Sequence, residues 1–243
     1  MSTQLDPLSI SADLLYAVKT EGTVDELCEC LATLRRERLS RSLSSRSRRL
    51  SFWLNCYNAY AQLLVERDPS VLEGGRLERW KFFARDRVPI AGVWLSLDDI
   101  EHGMLRGSRQ PWGLGYLPRP FPSSFERQFR VEGGDPRIHF ALGIGTESCP
   151  PLAVYSPEDC EEELDVTTAW YLEENVQYDP TRETATVPRL FLWYRGDFCG
   201  KSGVVDFLRE YGVIPEDADP ALEHDEFDGS VDVDAVNYGY DGR

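Results

Sequence analysis

Apolar side chains crowd the stretch SFWLNCYNAYAQLLVER so densely that, at about 100° per residue, they surround a helix instead of striping it. Phe52, Trp53, Leu54, Tyr57, Leu63, Leu64 and Val65 cover most of the cylinder, and Asn55, Asn58, Gln62 and Glu66 form one narrow polar seam. A helix apolar nearly all round belongs at the centre of a domain, and Ser51 is its expected N-cap. The amides on the seam must find partners inside, by bracing neighbouring backbone or by lining a polar pocket. Downstream, residues 87–95 alternate loosely around Gly92, as a strand or a hairpin arm, and SLDDIEHGMLRG has a capping box at Ser96 and Asp99 with Gly107 as the stop. On that helix Leu97, Ile100, Met104 and Leu105 face inward. Glu101 projects within the same face, with His102 on its flank.

Residues 108–135 read as a long irregular loop packed by its aromatics. RIHFALGI then alternates as a strand, with Ile138, Phe140, Leu142 and Ile144 on one face and Arg137, His139, Ala141 and Gly143 on the other. Residues 12–50, 157–175, 188–195 and 202–211 read as helices. From 214 the chain holds ten acidic residues and no Lys or Arg before Arg243, a composition that favours disorder, although SVDVDAVNYGY alternates enough for a final strand. The expected fold is α+β, a mostly helical single domain with a central buried helix and a small β-sheet. Residues 1–50 form a helical segment packed on the core, 51–212 the core itself, and 213–243 an acidic tail that can end in a strand.

Composition narrows the class. The 243 residues carry 42 Asp and Glu against 26 Lys and Arg, a formal net charge of −16. Such self-repulsion argues against nucleic acid and anionic membrane as partners. It suits a salt-adapted organism, here expected to be an archaeon, in whose cytoplasm the repulsion is screened. No apolar run reaches the roughly 20 residues that span a bilayer, and the N-terminus has no signal-peptide pattern, so a cytoplasmic protein is expected. Seven arginines between 35 and 49 are either an anion or partner patch or a face paired with surrounding acid. The six cysteines follow no zinc or disulfide-framework spacing. His224, amid acidic residues, reads as a solvated bystander.

Four segments in order carry a resemblance: FWLNCYN (52–58), SLDDIEHGMLR (96–106), DPRIHFALGIGTESCPPL (135–152) and FLWYRGDF (191–198). Together they resemble the signature blocks of the domain-of-unknown-function 547 family, a likeness covering roughly residues 48–212. The family occurs in bacteria, archaea and plants, where it can follow a leucine-zipper region, and has no settled activity. Where the family often has Asn-Cys-Gly, this chain has Gly143-Ile144-Gly145, so a second thiol at 144 is not available to it. An aliphatic residue is usual at the position of Cys56, whereas Cys149 matches the family's block.

Cys149 precedes a proline suited to the first position of a helix. As an N-cap there, its thiol would be acidified by the helix dipole. His139 is the expected base and Glu101 or His102 its orienting or proton-carrying partner; Asn55, Asn58 and Arg137 are the expected substrate-binding side chains. This is a thiol-dependent hydrolase or transferase in outline, with no cofactor. Three other readings stand beside it. Glu101, His102, His139 and Cys149 are all competent zinc or iron ligands, but Glu101 and His102 diverge by about 100° on an α-helix, and no metal is expected. A non-enzymatic interaction module with a protein partner is the second. A helix followed by a His-bearing strand also resembles a transglutaminase or papain-like core, with Asn55 standing where the nucleophile usually sits.

Overall fold

The computed structural model describes residues 6–143 and 153–224. It opens with four helices, α1 (Pro7–Lys19), α2 (Asp25–Ala32), α3 (Arg36–Ser42) and α4 (Arg46–Arg67). The short α5 (Ser70–Glu73) and α6 (Arg76–Phe83) follow, then the hairpin β1 (Val88–Ile90) and β2 (Val93–Leu95). The hairpin turns through Ala91 and Gly92, both at positive φ, which is the geometry a two-residue connection between twisted strands requires. Next come a π-helix (Asp99–Leu105), α7 (Ser124–Phe129), α8 (Ile138–Ala141) and α9 (Cys160–Asn175). The chain ends with β3 (Gln177–Asp179), β4 (Thr184–Val187), α10 (Leu190–Trp193), α11 (Lys201–Glu210) and β5 (Ala221–His224). The architecture is a mostly helical α+β domain. Among the described residues no helix is long and apolar enough to cross a membrane.

Helix α4 is buried on every side from Leu50 to Ala61, as its apolar wrapping predicts. It begins earlier than expected: Ser45 accepts the N–H of Arg48 and caps it, while Ser51 lies buried inside the helix. The arginines before Ser51 extend the helix because their aliphatic stems suit it and their heads reach partners. Arg46 binds Asp135 and Glu161, and Arg49 donates to the carbonyls of Leu43 and Arg130.

Two further expectations are corrected. Residues 138–141 form one helical turn, not a strand. Asp135 accepts the backbone N–H of Arg137, and its carbonyl accepts that of Ile138, so the Asp-Pro pair starts a turn. With Ile138, His139, Phe140 and Ala141 all buried, the alternation of side chains carried no information about which face looks inward. The second correction concerns the segment from 214. Ile214 is buried and β5 pairs in parallel with β4, His224 standing opposite Val187. His224 is therefore a half-buried strand residue. The stretch SVDVDAVNYGY lies outside the described residues.

Apolar packing divides into two clusters. One surrounds α4 with α1, the hairpin and the π-helix. The other gathers Leu172, Val187, Phe191, Phe198, Val204, Phe207 and Leu208 around Phe140. Helix α8 joins them, sending Ile138 and Ala141 into the first and Phe140 into the second. The seam between the clusters is where polar side chains meet.

Candidate functional site

The π-helix supplies the first wall. Ser96 and Asp99 cap its start reciprocally: Ser96 Oγ accepts the N–H of Asp99, and the Asp99 carboxylate accepts both the N–H and the hydroxyl of Ser96. The wide turn is visible in Arg106, whose N–H donates to the carbonyl of Glu101 five residues back. Glu101 and His102 do not diverge as they would on an α-helix. The buried His102 Nδ1 stands 3.3 Å from Glu101 Oε1. Glu101 accepts from the Tyr194 hydroxyl at 2.9 Å and, more loosely, from that of Tyr57 at 3.5 Å.

From this wall the network runs to α8 through Arg106 and Asp197. Arg106 Nη1 stands 2.9 Å from His102 Nδ1 and Arg106 Nε donates to Asp197 Oδ2 at 2.7 Å. His139 Nε2 is 2.9 Å from the same carboxylate oxygen. The His139 ring stacks on Tyr194 with centroids 3.8 Å apart, and the Arg106 guanidinium lies 4.4 Å from the same ring.

Protonation follows from burial and partners. Burial lowers the pKa of His139, only partly opposed by Asp197, and burial with the Arg106 and Arg119 charges lowers that of His102 further. Both rings are then neutral near pH 7. Burial opposes the Asp197 carboxylate, but the His139 hydrogen bond and Arg106 outweigh it and hold it below the usual range. An ionised carboxylate only accepts, so His139 carries its proton on Nε2 and its basic lone pair on Nδ1. That Nδ1 is buried and has no hydrogen-bond partner among the described residues. Beside His102, burial and the Glu101 and Asp99 charges push Asp98 up to about 8.

Asn55 and Asn58 clamp backbone at two places. Asn55 donates to the carbonyl of Tyr155 and accepts its N–H at 2.8 and 2.9 Å. Asn58 donates to the carbonyl of Ala141 and accepts the N–H of Gly143 at 2.9 and 3.0 Å. The two clamps, one turn apart on α4, hold the chain on either side of residues 144–152. Cys149 lies outside the described residues. Arg137 is engaged by Asp135, Glu161 and Asp165. Cys56 is fully buried, and burial drives its thiol well above the ordinary value; Cys160 is pushed up to about 12. Among the described residues no group of three or more His, Cys, Asp or Glu is placed to hold a metal ion.

Sequence reading thus singled out Glu101, His102 and His139, which the structure brings into one network. It passed over Asp98, Arg106, Tyr57, Tyr194 and Asp197, which complete that network. The signal was present: Tyr57 lies in the first block, Asp98 and Arg106 in the second, Tyr194 and Asp197 in the fourth. An Asp directly after an Arg-Gly pair, however, looks like any surface turn until the fold buries it.

A protein-family model described as "Protein of unknown function, DUF547" matches residues 40–172, more than half of the chain. No curated protein and no solved structure matches it. The match takes in Cys149 and the seam-forming α4, π-helix and α8, and leaves out α10 and the turn after it; the chain belongs to the DUF547 family.

Proposed function

We propose that this domain is a thiol-dependent enzyme of hydrolase or transferase type, with Cys149 as nucleophile and His139 as its base. The observation that carries the reading is the state of His139: Nε2 is fixed on Asp197 at 2.9 Å while Nδ1 is buried, neutral and bare. An imidazole with one nitrogen oriented by a carboxylate and the other free is the arrangement a general base requires. Cys149 is ten residues further along, in a segment whose flanks are tied to α4 by Asn58 and Asn55. In this scheme Asp197 orients the imidazole, Arg106 holds Asp197, and Glu101 and His102 support Arg106 and Tyr194.

The test is iodoacetamide labelling of Cys149 against pH, read by mass spectrometry in molar KCl, with the exposed Cys30 and Cys199 as internal references. The wild-type protein is expected to label at Cys149 with a midpoint well below the free-thiol value of about 8.5. His139→Ala and Asp197→Asn should move that midpoint upward. A Cys149 that stays inert until the protein unfolds, or that labels identically in His139→Ala, overturns the assignment.

One observation favours a second reading, a non-enzymatic interaction module. The loop before α7 exposes Trp112, Tyr116, Leu117 and Phe121, the last to 96%, and apolar surface of this kind marks contact sites. On that reading Cys149→Ala and His139→Ala leave the cellular function intact.

A further inference from the structure

The loop from Ser108 to Arg119 closes on itself at its base. Arg119 N–H donates to the carbonyl of Ser108 and Gln110 N–H to that of Leu117. Its tip turns through Leu114 and Gly115, at φ +50° and +80°, and comes down on the turn after α10, where Gly196 N–H donates to the carbonyl of Leu114 at 2.7 Å. Here two backbones touch without side chains between them. A Cβ added at residue 196 would stand 2.5 Å from the carbonyl carbon of Gly115, and one added at 115 would stand 2.6 Å from the nitrogen of Asp197. The same Cβ at 115 would lie 2.9 Å from Asp197 Oδ1. That is the carboxylate oxygen which neither His139 nor Arg106 uses, since both bond Oδ2.

We propose that Gly115 and Gly196 are positioning residues for the His139–Asp197 pair. Their contact seats the loop tip against the backbone nitrogen and Oδ1 of Asp197, fixes where the carboxylate stands, and so commits it to His139 and His139 to the tautomer with a bare Nδ1. The proposal rests on reading His139 as a base, but its mechanism lies in the imidazole and is measured there. The Asp197 side chain is 11% exposed, and Gly115 stands against both its Oδ1 and its backbone nitrogen. A side chain at either glycine forces the loop and the 196–197 backbone apart and displaces the carboxylate. The hold on His139 Nε2 then weakens, and because that bond to the carboxylate favours the imidazolium, the ring titrates lower still. The charged and titratable groups around that ring are Asp197 and Arg106, with Asp135 and His102 farther off and Tyr194 stacked upon it.

The experiment is ¹⁵N NMR of the imidazoles in the full chain, which has three histidines to assign, against pH. The substitution is Gly196→Ala, since 196 is not among the positive-φ glycines and the change tests close approach alone. Gly133→Ala is the control: its φ is +83° but its added Cβ meets nothing within 4 Å. In the wild-type and the control, His139 should hold one tautomer, protonated at Nε2, through neutral pH. In Gly196→Ala both tautomers should be populated and the midpoint should fall by half a unit or more, with thermal unfolding still cooperative. A cooperatively folded Gly196→Ala with an unchanged tautomer and midpoint overturns the proposal.

If Gly196→Ala does not fold, hydrogen exchange in the wild-type protein decides. The Gly196 amide should exchange at least a hundredfold more slowly than that of the exposed Gly133, and equal rates overturn the contact on which the proposal stands. A His139 shift without any response in Cys149 labelling would sink the thiol reading and leave the positioning role standing. The opposite pattern would sink the positioning role alone.

Discussion

At the scale of single residues the seam is a set of groups whose charge states are chosen by burial. His102 and His139 lose their protons because the interior disfavours an imidazolium, and Asp197 stays ionised because His139 and Arg106 hold it. Asp98 goes the other way: burial and the adjacent Glu101 and Asp99 charges raise it to about 8. Its folded pKa lies above its unfolded one, so the folded state binds the extra proton and stability falls as pH rises from about 4 toward 8. Replacing Asp98 with Asn removes that dependence. The variant's advantage over the wild-type protein in urea unfolding should grow between pH 5 and pH 8, reach on the order of 3 kcal/mol, and level off above. A difference that is flat across that range would mean Asp98 is not held protonated by the fold.

Among elements, α4 does the most positioning. Its apolar wrapping makes it central, and its two inward asparagines tie α8 and the segment at Tyr155 to the same helix. Each clamp pairs one backbone donor and one acceptor that are otherwise buried. Asn58→Ala should cost about 2–4 kcal/mol, because two buried backbone groups lose their partners at roughly 1–3 kcal/mol each. Equilibrium denaturation measures this, and a loss below about 1 kcal/mol would mean that water or neighbouring backbone takes over the clamp. Element by element, the sequence was legible where periodicity and capping agreed. The central helix, the hairpin around Gly92, the Ser96–Asp99 cap and the helices at 160–175 and 201–210 were all expected. It failed at 138–141, where burial on all faces erases the distinction between a strand and a helical turn. It also missed the short strands β3, β4 and β5, whose pairing is between distant residues and leaves little local trace.

For the whole molecule, charge is the dominant bulk property. Many of the arginines are spent on specific partners: Arg46 and Arg137 on Asp135, Glu161 and Asp165, and Arg119 on Asp99 and Glu126. The excess acid is left to repel itself. Salt at molar concentration shortens the screening length to about 3 Å, which weakens the repulsion more than it weakens buried pairs such as Arg106–Asp197. Thermal unfolding in 2 M KCl should therefore occur several degrees higher than in dilute buffer. An unchanged or lower midpoint would count against salt adaptation.

Taken alone, the sequence determined the class of the fold, the central helix, the cap of the π-helix and the family, because these depend on side-chain periodicity and on short ordered blocks. It also pointed at Glu101 and His139, since an inward carboxylate and a histidine in an apolar block are costly unless used. Tertiary structure alone decided that these two belong to one network, through Tyr194, Arg106 and Asp197 from segments up to 96 positions apart in the chain. It alone decided which nitrogen of His139 is bare, and that Gly115 meets Gly196. Hydrogen bonds and close backbone approaches are set by packing geometry at the ångström scale, and neither composition nor periodicity carries information that fine.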